Sequence, residues 1–108
     1  MFDVDEEKVN EILANDPKAQ LAEGEEGEIF VFHPTRGHFL RFEDGAAAGK
    51  AGFAQENFLL DAVLYPDKVE LKKWMNENRG AVPALATLVH ETFGGGKKFQ
   101  LKPRGAGA

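Results

Sequence analysis

Three histidines and a few carboxylates are the groups in this chain best suited to chemistry. His33 and His38 flank the segment Pro34-Thr35-Arg36-Gly37, and Glu43 and Asp44 follow soon after. Two imidazoles and a carboxylate are a common ligand set for a divalent metal. Yet no H-x-H, H-x-x-H or H-E-x-x-H spacing is present, so the pair reads as turn histidines and no metal site is assigned. His90 lies beside Val89 and Glu91, off the apolar face of its segment, and reads as a surface or rim residue. Glu56 and Asp61 suggest an acid–base pair, but their helical phase puts them on different faces. Gly94-Gly95-Gly96-Lys97-Lys98 resembles a phosphate cradle, but a P-loop needs G-x-x-x-x-G-K-[ST] between a strand and a helix. Here the glycines follow a helix-like run, and helix termination explains them.

The missing residue types narrow the chemistry further. The sequence has no cysteine, which removes disulfides, thiolate metal sites and thiol nucleophiles. It has no serine, so a Ser-His-Asp arrangement lacks its nucleophile; Thr35, Thr87, Thr92 and Tyr65 are the side-chain hydroxyls. The chain is therefore expected not to be an enzyme and to need no cofactor.

The elements that would position side chains are easier to read. Residues 1–16 form an amphipathic N-terminal helix, with Val9, Ile12 and Leu13 on one face, Asp3 or Asp5 as cap, and Asp16-Pro17 as its end. Residues 18–22 are ambiguous and suit an extended path. Glu23-Gly24-Glu25-Glu26-Gly27 is a turn or loop. Residues 28–42 predict a β-hairpin: Ile29-Phe30-Val31-Phe32, a turn at His33–Gly37, then His38-Phe39-Leu40-Arg41-Phe42 running back. Residues 43–52 (EDGAAAGKAG) are a small-residue linker.

Residues 53–94 carry the helical part, with helices over about 53–64, 67–79 and 82–93. Phe58, Leu59, Leu60, Val63 and Leu64 form one apolar run that ends at Tyr65-Pro66. Asp67 and Glu70 have capping-box spacing. Leu71, Trp74 and Met75 share a face, as do Val82, Leu85, Ala86, Val89 and Phe93. Residues 97–108 are a basic tail, whose Lys97–Lys102 stretch suits a last strand with Phe99 and Leu101 on one side.

At 108 residues and 43% hydrophobic content the chain makes one domain with a single core. The expected class is α+β, a small single domain with an antiparallel hairpin packed on a three- to four-helix C-terminal part. Net charge is −5, with acids crowded into residues 1–28 and bases at Lys97, Lys98, Lys102 and Arg104. That balance argues against general nucleic-acid binding. No apolar run approaches the ~18 residues of a membrane span. The acidic start MFDVDEEK does not suit a signal peptide, so a cytosolic protein is expected. Phe30, Phe32, Phe39 and Phe42 alternate in a two-stranded ribbon and cannot all face one way. The second face then needs the N-terminal helix or another subunit, and self-association is expected.

With no reactive cluster, the helical part looks built to pack or to bind. Phe53, Phe58, Tyr65, Trp74, Met75 and Phe93 are the large apolar side chains of the kind that dominates interfaces. A Trp–Met face is first of all core, but it also suits a groove. Trp74 and Met75 sit on a short helix between breaks and are expected to be half covered.

The order of local patterns resembles the tail assembly chaperones of long-tailed bacteriophages. It runs from the His33-Pro34-Thr35-Arg36 turn, through Glu56-Asn57-Phe58-Leu59-Leu60 into Val63-Leu64-Tyr65-Pro66-Asp67, to a last helix from Ala84-Leu85-Ala86 to Phe93-Gly94. The likeness spans residues 28–94. It implies a small non-enzymatic protein of the host cytoplasm that binds the tape measure protein during tail assembly, self-associates, and is absent from the finished virion. The residues alone leave two alternatives open. One is a structural virion subunit, at a tail completion or connector position. The other is a small acidic inhibitor or adaptor protein.

Overall fold

A computed structural model of the chain describes residues 2–93. Their order is α1 (Glu6–Asn15), β1 (Gln20–Glu23), β2 (Ile29–Phe32), α2 (Arg36–Ala47), α3 (Ala51–Ala62), β3 (Val63–Tyr65), α4 (Lys68–Glu77), a 3-10 turn (Arg79–Ala81) and α5 (Val82–Thr92). The strands form one antiparallel sheet in the order β1-β2-β3. The protein is α+β: a small sheet, begun by a hairpin, with most of the helices after it. The expected strand at residues 97–102 and the basic tail lie outside the described residues.

The hairpin is not the one expected over residues 28–42. β2 pairs with the preceding segment, Gln20 opposite Phe32 and Glu23 opposite Ile29, and the turn is the acidic loop before Glu28. Phe39-Leu40-Arg41-Phe42 is helical. Two signals favour the helix, one local and one from a distant residue. Thr35 caps it: its Oγ1 accepts from the His38 backbone N–H at 3.4 Å, and the His38 ring returns the bond by accepting from the Thr35 N–H at 3.0 Å. Phe39 and Phe42 are three apart, so in a helix both reach Phe58, at ring separations of 5.3 and 5.2 Å.

The expected linker at residues 43–52 is the body of an antiparallel helix pair. α2 runs through Ala47 and α3 begins at Ala51. Between them the chain closes a Schellman turn. Gly49 takes φ +80°, its N–H reaches the Ala46 carbonyl at 3.1 Å, and the Lys50 N–H reaches the Gly45 carbonyl at 3.0 Å. A Cβ on Gly45 would stand 2.9 Å from the Ala54 Cβ, so the small residues let two backbones approach. The expected small-residue linker is a close-packed helix crossing.

The apolar stretch expected to be helical through Leu64 leaves the helix at Ala62. Val63–Tyr65 pairs with β2 through a bulge that leaves Leu64 exposed. The β-branched Val63 suits a strand, and the His33 N–H continues the contact by donating to the Ala62 carbonyl at 2.9 Å. The Tyr65–Pro66 peptide is cis. Asp67 then caps α4 by accepting from the Glu70 N–H at 2.9 Å, as its spacing indicates.

Phe30, Val31 and Phe32 are all buried, and successive strand side chains point to opposite faces, so the sheet is covered on both sides. Phe30 meets Trp74 of α4 and Phe32 meets Phe93 just past α5. α1 packs against β2 and β3, and its Val9 is buried. The N-terminal helix thus supplies a cover for the sheet within the one chain. The Tyr65 hydroxyl ties down the approach to α1, accepting from the Asp5 N–H at 2.7 Å and donating to the Asp3 carbonyl at 3.2 Å.

Candidate binding surface

The three histidines, Glu56 and Asp61 have structural partners. His33 Nδ1 lies 2.6 Å from Asp16 Oδ2, and its ring stacks on Phe93 at 5.5 Å. The hydrogen bond to His33 holds the Asp16 carboxyl below its usual range, against a smaller opposing effect of desolvation. His38 completes the α2 cap. His90 is not a simple rim residue: its ring lies 5.2, 5.8 and 6.2 Å from Phe39, Phe42 and Phe58, and it helps seal α5 onto the α2–α3 pair. Glu56 and Asp61 are split between two arginines. Asp61 accepts from Arg41 at 2.6 Å, linking α3 to α2, and Glu56 accepts from Arg79 beyond α4. No group of three or more metal-ligating side chains comes together among the described residues.

Of the six expected binding residues, four are core. Phe58, Tyr65, Trp74 and Met75 are buried, and Phe93 is half-buried against Phe32 and His33. Trp74 corrects the expectation of a half-covered anchor. It is 5% exposed, packs edge-on against Phe30 at 4.8 Å, and donates from Nε1 to Glu28 Oε2 at 3.2 Å. Breaks at both ends of α4 did not leave its face open, because β2 lies against it.

Glu28 was missed as a key residue because it reads as one acid among several. It is a buried carboxylate, and its Oε1 accepts from the Glu26 N–H at 2.8 Å. Its pKa is lowered, first by its own backbone N–H and then by the Trp74 and Glu26 donors, with burial opposing them. The acidic loop is thus folded around one of its own side chains. A Cβ on Gly24 would fall 2.6 Å from Glu28 Oε1, and Gly27 takes φ +87°. The E-G-E-E-G-E spacing is the signal that a turn is being closed on a carboxylate.

Phe53 differs from the other five. It is 70% exposed on the first turn of α3. On one side lies a hollow of about 310 Å³ between α2 and α3, lined by Phe42, Ala54 and Phe58 with a polar rim of His38, Arg41, Lys50 and Asp61. On the other side a second hollow of about 380 Å³ is bounded by Lys50, Gly52, Glu56 and Arg79. An apolar knob between two recesses with charged rims has the make-up of a protein-binding patch. A separate cleft of about 320 Å³ lies between the acidic loop and α5, where Leu88 is partly exposed. Val69, Leu21, Leu40 and Leu64 are further exposed apolar side chains that sequence periodicity did not separate from the core.

No protein-family model and no curated protein matches the chain. Among solved structures, the chain is similar to one titled "Structure of uncharacterised protein rbstp2171 from bacillus stearothermophilus". The TM-score is 0.73 at 19% sequence identity, over 87% of this chain and 99% of that one. At that identity the likeness is one of fold.

Proposed function

We propose that the protein is a tail assembly chaperone of a long-tailed bacteriophage, binding the tape measure protein during tail morphogenesis in the host cytoplasm. The sequence patterns in residues 28–94 suggest this reading, and Phe53 is the observation that carries it furthest. A tape measure protein is a long helix with an apolar stripe that must be masked before the tube forms around it. A knob between two recesses on a helix pair suits helix-in-groove contact, in which a few apolar anchors carry most of the affinity. The polar rim of Arg41, Lys50, Glu56 and Asp61 would orient the partner.

The test is in two parts. Co-expression with the tape measure protein should keep that partner soluble and co-purify the pair. Mass spectrometry of purified virions should then lack this protein. Its presence at fixed stoichiometry in the finished particle would favour a structural subunit instead.

A further inference from the structure

The outer side of β1 offers backbone hydrogen bonds, an apolar recess and negative charge in one place. β1 is an end strand in the order β1-β2-β3, so one of its sides faces away from the sheet. The Gly24 N–H donates to the Glu28 carbonyl at 2.8 Å, which fixes the parity of the hairpin. Antiparallel pairs alternate, so Gln20 and Ala22 also turn their peptide groups toward β2. The N–H and C=O of Leu21 and Glu23 therefore point outward, and among the described residues no backbone group bonds to them. Such an edge is a template for a further strand.

The surroundings of the edge specify the side chains that an added strand should carry. Ala22 borders the cleft of about 320 Å³ between the acidic loop and α5, together with Leu85 and Leu88, and Leu88 is 45% exposed. Side chains at the same level of neighbouring strands share a face. A side chain set beside Ala22 thus stands over this cleft, next to Leu88, and should be apolar. The residue before it lies beside the exposed Leu21 and should be apolar too. Toward the loop the next residue falls beside Glu23, and the one after it beside Glu25 and Glu26; both should be basic. No Lys, Arg or His lines the cleft. Among the described residues, Arg41, Arg79 and His33 pair with Asp61, Glu56 and Asp16, and no base pairs with Glu23, Glu25 or Glu26.

We propose that the outer edge of β1 takes a strand from a partner protein, an extended segment in which two apolar residues adjoin two basic ones. Main-chain bonds to Leu21 and Glu23 hold the segment, while the cleft and the acidic loop select its sequence. The charge complementarity points to a different protein rather than a second copy. The described strands of this chain, QLAE, IFVF and VLY, carry no Lys or Arg. The acids crowded before Glu28 thus serve as one side of a contact. The proposal is independent of what binds at Phe53.

A titration of the full chain, followed by amide NMR shifts, tests it. The probes are acetyl-Thr-Val-Leu-Lys-Lys-Thr-amide and the same peptide in reversed order, one for each strand direction. One of them should shift the Leu21, Glu23 and Leu88 amides saturably. N-methylating its Leu and the adjoining Lys removes a ladder N–H at each parity and keeps the charge, and should weaken binding roughly tenfold or more. A Glu23→Lys, Glu25→Lys double variant should weaken it by about tenfold as well, and a probe with Glu in place of Lys should restore binding to that variant. No saturable shift with either peptide would overturn the proposal, whether the edge is empty or already filled by a second copy or another segment of this chain. Equal affinity of the N-methylated probe would overturn it too, by reducing the contact to charge attraction.

Discussion

Trp74 and Glu28 hold the loop, the sheet and α4 in one contact, and each is needed for the other. Trp74→Ala should cost ~3–5 kcal/mol of stability, as expected for a fully packed aromatic. Trp74→Phe keeps most of the packing but leaves Glu28 short of a donor, and about 1–3 kcal/mol should be lost. Urea denaturation of the two variants checks both figures. The same carboxylate makes stability depend on pH. The folded-state pKa values of Glu28 and Asp16 lie below their ordinary values of 4.5 and 3.8, so the folded state favours their charged forms. Their contribution is fully present above that ordinary range and is lost as pH falls through the lowered values. Stability should thus be flat near neutrality and drop below about pH 4. Glu28→Gln should be less stable at neutral pH and lose less on acidification, measured by thermal melts across pH. An acid limb as steep as the natural protein's would remove Glu28 from this role.

At the scale of elements, the tightest constraint is the crossing of α2 and α3. Gly49→Ala places a side chain at φ +80° and should cost about 1–2 kcal/mol. Gly45→Leu drives a branched side chain into Ala54 and should lower the melting temperature further, because backbone rather than a side-chain tip must move. If Gly45→Leu melts like the natural protein, the close crossing is wrong. This pair also marks the limit of what the sequence discloses. Capping at Asp67, the helix from Val82 and the strand at Ile29–Phe32 are all visible, because each is set by residues a few positions apart. His38–Phe42 suits a strand or a helix in local composition, and the Thr35 cap together with Phe58 and His90, far along the chain, decides for the helix. β1 was ambiguous for the same reason: Gln20–Glu23 has little β character, and it is a strand because it pairs with β2. The candidate surface was legible only in part. Phe53 and Trp74 are both large aromatic side chains, and it is the contact with β2 that buries Trp74 while Phe53 stays outside.

For the whole molecule, the described residues place a covered sheet at the centre and an αα pair at the side, with Phe53 standing on that pair. The core does not use Phe53, so folding and binding should separate there. Phe53→Ala should alter stability by no more than about 0.5 kcal/mol, as surface changes do. The claim that the protein is a chaperone for a long apolar helix therefore comes down to one titration. The proposed partner, a tape measure protein, would be titrated with the natural chain and with Phe53→Ala, by calorimetry. Loss of an anchor should weaken binding by ~2 kcal/mol, or about thirtyfold in Kd. No heat of binding with the natural chain would contradict the function, and equal affinity for a folded Phe53→Ala protein would contradict the surface.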